Sequence, residues 1–322
     1  MNYKKVLFGV ACAMFCFVGC SNNNEEKPEQ NEKIEQEKGS ENYSYEIEWK
    51  DKPEKIEGST SVSQVGEAKI VTSDNYGKIL VINFTYINNS DEARDFINDF
   101  DVKPRAFQNG RELEYPGNTS EEGKYSYTDA YKDIKSGGTI ETELVWELED
   151  TKNIIELDMG MDGDYNPLSR STIKIKNSDD YKRNFELEEL ISDYSVSWKV
   201  DMKELENNGR RLVVNKMGVR KSEYGDLLIL EITYTNNTDR IHNLINDYDL
   251  RPKAFQNGIE LDVPGITSEM GVYNYAGAFK SLKNGGSITT QMVFVLENTE
   301  DSVEIEFGSN IEPIFVNNVI FK

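Results

Sequence analysis

The chain has 322 residues, with 58 Asp and Glu against 36 Lys and Arg, for a formal net charge of −22. Phosphate backbones are gripped by cationic faces, so this balance argues against a nucleic-acid partner. Apolar residues are only 37% of the chain, yet 17 Tyr and 14 Phe are present. A disordered chain lacks such rings, so folded domains diluted by a polar segment are expected, two of them at this length.

The N-terminus carries Lys4 and Lys5, then an apolar run from Val6 to Val18, then Gly19-Cys20. As a helix that run spans ~20 Å, short of the ~30 Å hydrocarbon layer, and the pattern reads as an export leader over residues 1–19. Phe17-Val18-Gly19-Cys20 resembles the lipobox of bacterial lipoproteins, with Phe17 where Leu is usual. The resemblance implies that the Cys20 thiol receives a diacylglyceryl group and that cleavage makes Cys20 the new N-terminus. Two acyl chains anchor stably where one is marginal. The expected location is therefore the extracellular face of the bacterial cell membrane. Cys12 and Cys16 leave with the leader, so no disulfide is expected. Losing Lys4 and Lys5 takes the net charge from −22 to −24. Residues 20–42 contain one isoleucine and no aromatic residue. They cannot bury enough surface to offset their ordering entropy and read as a flexible acidic tether.

The remaining chain is internally repeated, a feature that decides architecture. Ala106-Phe107-Gln108-Asn109-Gly110 recurs as Ala254-Phe255-Gln256-Asn257-Gly258, and residues 76–160 match 224–308 without a gap at 41 of 85 positions. Trp49 pairs with Trp198 upstream and Pro167 with Pro313 downstream, so insertions fall outside the block. Two copies follow, residues 43–177 and 191–322, with 178–190 as the linker.

Within each copy the signals are β. Lys78–Tyr86 and Asp226–Tyr234 are nearly continuous apolar runs, as in strands covered on both faces. Ala93, Phe96, Ile97 and Phe100 have helical spacing behind Ser90, which predicts a helical turn or an irregular crossover. Asn109-Gly110 and Asn257-Gly258 carry the chemistry of type I′ hairpin turns. Ile140, Leu144, Trp146 and Leu148 alternate with polar positions as a half-buried strand, repeated by Ile288, Met292, Phe294 and Leu296. Further strands are expected at Tyr45–Trp49, Ile154–Met159 and Thr172–Lys176. Seven or eight strands per copy predict an all-β fold of two tandem β-sandwiches.

The Tyr-x-Asn-Asn-Ser/Thr stretch, the Ala-Phe-Gln-Asn-Gly-x-Glu-Leu segment and the Gly-Gly before a long strand resemble domain-of-unknown-function family 5067. Family members often carry Pro-Gly where this chain has Gly137-Gly138 and Gly285-Gly286. The resemblance implies immunoglobulin-like domains of exported Gram-positive proteins, and it supplies no activity or catalytic residues.

Chemistry-bearing motifs are sparse. The sequence holds no phosphate loop, no GxSxG elbow and no HExxH. Ser171-Thr172-Ile173-Lys174 matches SxxK in form, but residues three apart on a strand face opposite ways. His242 is the only histidine; its repeat partner is Arg94, and it reads as a solvated loop residue. Asp99 and Asp101 recur as Asp247 and Asp249, a duplicated carboxylate pair that suits weak calcium binding. Tyr125 and Tyr127, matched by Tyr273 and Tyr275, are candidate contact residues for a partner; the alternative is that they pack inward along a strand. The composite expectation is a lipid-anchored, non-enzymatic interaction module of the envelope. Its partner is an envelope protein or a neutral glycan, because anionic polymers are repelled. The alternatives are a hydrolase built on converging carboxylates and a passive spacer.

Overall fold

A computed structural model describes residues 45–115, 125–162, 166–184, 187, 189–202, 204–263, 274–308 and 313–322, with Ser126, Tyr127 and Asn274 described by backbone alone. Cys20 and the expected tether, with Tyr273, lie outside the described residues. Both repeats belong to one compact unit, Ser44–Lys322.

Repeat 1 contains β1 (Glu46–Lys50), β2 (Lys55–Glu57), β3 (Ser61–Ser73), β4 (Gly77–Asn88), β5 (Pro104–Gln108), β6 (Arg111–Glu112), β7 (Thr139–Glu147), β8 (Ile155–Met161) and β9 (Pro167–Lys176). One antiparallel sheet runs β2-β3-β4-β7 and the facing sheet β1-β9-β8-β5-β6. Repeat 2 restates this with β10 (Val196–Trp198), β11 (Leu205–Asn207), β12 (Arg210–Ser222), β13 (Gly225–Asn236), β14 (Pro252–Gln256), β15 (Ile259–Glu260), β16 (Gly286–Val295), β17 (Val303–Gly308) and β18 (Pro313–Phe321), in sheets β11-β12-β13-β16 and β10-β18-β17-β14-β15. An immunoglobulin fold places strands A, B and E in one sheet and C, F and G in the other. Here these are β3, β4 and β7 facing β5, β8 and β9, so each repeat is an immunoglobulin-like sandwich.

The core of repeat 1 lies between its sheets: Leu80, Ile82, Phe84 and Tyr86 of β4 meet Trp146, Leu157 and Ile173, all buried. The opposite face of β4 is also covered, because Ile79, Val81 and Val145 pack with Val71, Tyr76 and Tyr125. That second covering explains why the strand is apolar at consecutive positions. In repeat 2 the equivalent outer face, Leu227, Ile229 and Val293, is covered by Leu190 from the segment between the repeats.

The Asn-Gly expectation holds in both copies. Asn109 and Gly110 have φ of 53° and 73°, and Asn257 and Gly258 have 53° and 78°, the paired positive angles a type I′ turn requires.

Three features depart from the sequence reading. The first is β3 with its counterpart β12, whose thirteen residues each carry no clean alternation. A bulge between Val65 and Ala68, repeated between Val214 and Lys216, shifts the register partway along and reverses which positions face inward. The second is Ser126–Tyr131, a 3-10 helix rather than a strand, matched by Asn274–Phe279. The third is the expected linker, whose first part is fastened to repeat 1. Tyr181 packs on its core, Asp179 accepts 2.6 and 2.8 Å hydrogen bonds from Tyr45 and Thr151, and Arg183 pairs with Glu114 and Glu147. The Ala93–Phe100 segment is an irregular crossover of turns that buries Phe96 and Ile97 while Phe100 is exposed.

Candidate interaction cleft between the repeats

The hairpin of repeat 1 docks on the turn Ser281–Gly286 of repeat 2. The Glu112 amide donates to the Ser281 carbonyl at 2.9 Å and the Lys283 amide donates to the Gly110 carbonyl at 2.8 Å. Lys283 reaches Glu156 at 2.7 Å and Asp158 at 3.0 Å, and Lys280 reaches Glu114 at 2.9 Å. The Lys283 ammonium also lies 4.2 Å from the centroid of the Phe107 ring, a favourable cation–π placement. Gly110 and Gly286 meet so closely that a Cβ on Gly286 would fall 2.5 Å from the Gly110 carbonyl oxygen. Two backbone hydrogen bonds and these ion pairs join the repeats.

Beside this joint lies a cleft of about 970 Å³ lined by both repeats. Repeat 1 contributes Lys103, Arg105 and Arg170, and repeat 2 contributes Arg240 and His242. The carboxylates among its lining residues are Glu112 and Asp239. In a chain of net charge −22, the cleft is locally cationic. Arg105 is held in a fork by Glu112, at 2.7 Å on both arms, and Arg170 pairs with Asp158 at 2.8 Å. Arg240 has no ion-pair partner among the described residues and is exposed. Lys103 stacks over Tyr115, and burial lowers its ammonium pKa. His242 is no free loop residue: its backbone exchanges two hydrogen bonds with Leu282, at 2.7 and 3.1 Å. Burial, then the Arg210 charge, lowers its pKa, so the ring is neutral at pH 7.

Of the two cleft carboxylates, Glu112 is bound to Arg105 as a counter-charge. Burial pushes Glu112 up, but hydrogen bonds and charge from Arg105 outweigh it, leaving the carboxyl below its ordinary value. A general acid needs the opposite shift. Ser171 is buried while Lys174 is exposed on the other face of β9, so they do not converge.

The duplicated aspartates are counter-charges within the sandwich. Asp99 accepts from the Tyr86 hydroxyl at 2.8 Å, with Arg94 at 3.8 Å. Asp247 accepts from Tyr234 at 2.8 Å and from Arg210 at 2.7 Å. Asp249 takes the other Arg210 arm at 2.7 Å, while Asp101 takes Thr60 at 3.3 Å and Ser59. The cation comes from different segments in the two copies, from the crossover residue Arg94 in repeat 1 and from Arg210 of β12 in repeat 2. Ser61 and Arg210 stand opposite Asn88 and Asn236 in equivalent registers, and Arg94 is replaced by His242. Burial, then the aspartate partner, raises both tyrosine pKa values. Among the described residues no group of three or more His, Cys, Asp or Glu side chains is placed to hold a metal ion.

Tyr275 is buried in the core and Tyr125 packs on the outer face of β4. Neither is presented as a contact ring, and the side chain of Tyr127 lies outside the described residues. Sequence reading missed the cleft cations because Lys103 and Arg240 belong to different repeats. The available signal was that the Arg94 position of repeat 1 becomes His242 in repeat 2 while Arg240 enters two residues earlier.

No helix among the described residues is long and apolar enough to cross a membrane. Among solved structures, the chain is similar to a Staphylococcus aureus subsp. aureus NCTC 8325 protein provisionally described as a lipoprotein. The match is at 14% identity with a TM-score of 0.33, covering 40% of this chain and 93% of that one. No curated protein matches. The model of the family described as "Domain of unknown function (DUF5067)" matches residues 19–160 and 191–309, so this chain, carrying that domain twice, belongs to the DUF5067 family.

Proposed function

We propose that this protein is a lipid-anchored interaction module of the bacterial cell surface, non-enzymatic, which holds its partner in the cleft between its two repeats. The single observation that carries the reading is the local reversal of charge there: Lys103 and Arg240 converge from separate repeats in a strongly acidic chain. Docking of the repeats at the hairpin pre-organises that surface, which reduces the ordering cost of binding. The cations favour a protein partner that presents carboxylates over the neutral glycan that net charge alone would suggest.

Two experiments test the parts separately. Residues 21–322 should capture an envelope component saturably, and Lys103→Glu/Arg240→Glu should weaken that capture at least about tenfold, since like charges facing across an interface cost several kcal/mol. Equal capture by the variant would refute the cleft as the binding face. Anchoring rests on Cys20: Cys20→Ala should abolish labelling by a fatty-acid analogue and release the protein from membranes, and undiminished labelling would contradict it.

A further inference from the structure

The joint between the repeats uses the hairpin of repeat 1 and the turn of repeat 2. Because the domain is duplicated, the hairpin of repeat 2 and the turn of repeat 1 remain uncovered. Burial records the difference position by position. Ser281, Leu282 and Gly286 are buried and Lys283 half-buried, whereas their counterparts Asp133 and Lys135 are exposed and Ile134 and Gly138 half-buried. Phe107 is fully buried and its counterpart Phe255 half-buried. Ile259, at the hairpin tip in the place of Arg111, is 61% exposed.

The uncovered surfaces keep the charges of the joint. Glu112, Glu114, Glu156 and Asp158 correspond to Glu260, Asp262, Glu304 and Glu306, all acidic. None of these four has an ion-pair partner among the described residues. On the other side Lys280 and Lys283 correspond to Lys132 and Lys135. Of these, Lys132 meets only its neighbour Asp129, and Lys135 has no ion pair among the described residues. The backbone groups used at the joint, the amides of residues 112 and 283, have free counterparts among the described residues in Glu260 and Lys135.

We propose that a second copy of this chain docks head to tail, the Asn257–Glu260 hairpin of one copy seating on the Lys132–Gly138 turn of the next in the manner of the internal joint. The Glu260 amide then donates to the Asp133 carbonyl and the Lys135 amide to the Gly258 carbonyl. Lys135 lies among Glu304, Glu306 and the Phe255 ring, and Lys132 meets Asp262. Ile259 packs on Ile134, because Arg111 is paired with Leu282 in the internal joint. The substitution of Ser281 by Asp133 leaves the contact intact, since it uses the carbonyl there. A contact that joins unlike faces repeats without closing on itself unless its rotation happens to form a ring, so the product is an open row of chains. Inside one chain the linker supplies a high effective concentration; between chains, crowding on a shared membrane takes that role. This inference stands apart from the cleft.

The test is sedimentation velocity on residues 21–322, which include the whole compact unit, from micromolar concentrations to about 1 mM, the range of weak contacts. The sedimentation coefficient should rise continuously past that of a dimer. Glu304→Lys/Glu306→Lys and Lys132→Glu/Lys135→Glu alter exposed or half-buried side chains; each should weaken association at least about tenfold with an unchanged unfolding temperature. Mixing the two variants should restore much of it, because position 135 then meets opposite charge at positions 304 and 306. A single-chain species at every concentration overturns the proposal. So does association that both charge reversals leave unchanged, since that would place the contact elsewhere.

Discussion

Asp247→Ala is expected to destabilise the second repeat by about 3 kcal/mol, the cost of taking the buried partner out of an ion pair whose other carboxylate, Asp249, remains. Arg210 is 8% exposed and Asp247 2% exposed, and the carboxylate takes hydrogen bonds from both Arg210 and Tyr234. Removing it orphans the Tyr234 hydroxyl and leaves the guanidinium held by its Asp249 arm alone. Asp99→Ala in repeat 1 should cost less, about 1–3 kcal/mol, because the groups that lose their acceptor there, the Tyr86 hydroxyl and the Asp101 amide, are neutral. Arg94 can turn to solvent, its side chain being 38% exposed. Urea unfolding of the two variants checks both magnitudes. Equal losses would show that Arg210 does not depend on Asp247. If instead the duplicated aspartates served calcium, wild type would gain stability in millimolar Ca²⁺ and both variants would lose that gain; the internal pairing predicts no such gain.

Gly286→Val is expected to release the repeats from one another while leaving each sandwich folded. The first branch atom of valine would fall against the Gly110 carbonyl and the backbone has no room to give, since Gly110 itself would meet Gly286 Cα at 2.8 Å if it carried a Cβ. Overpacking of this kind costs about 1–3 kcal/mol, and here separation of the hairpin from the turn relieves it. Small-angle scattering should show a larger radius of gyration. Calorimetry should change from coupled to independent unfolding of the two repeats. Wild-type scattering from the variant would mean that the hairpin contact does not hold the repeats.

Much of the fold is legible in the residues. The duplication is visible because half the positions between Tyr76 and Gly160 repeat, and the Asn109-Gly110 turn because its φ angles admit few other residues. The long β7 strand shows because one face meets the core and the other solvent at its start. What hides has physical reasons. The bulge near Gly66 breaks the phase of β3, so neither half shows enough alternation to declare itself. The 3-10 helix at Ser126–Tyr131 is too short to develop a period. The joint is made largely by backbone atoms of Gly110, Glu112, Ser281 and Lys283, and the same motif occurs in both copies. The shared Asn-Gly motif does not distinguish the hairpin that is docked from the one that is free. The cleft is harder still, because its cations become neighbours only once the two repeats are joined. His242 is legible as singular, but its position against Leu282 is set by the crossover.

The measurement that tests the central claim most directly is photo-crosslinking from inside the cleft. A photoreactive residue at Asn243, which lines the cleft, and a second at Lys216, which is exposed on β12, would be placed separately in the lipid-anchored protein on intact cells. Crosslinks to one envelope component from position 243, competed by unlabelled residues 21–322 and absent from position 216, are the predicted result. Crosslinks of equal strength from both positions, or none from position 243 while the protein is fully anchored, would contradict the cleft as the surface through which this protein works.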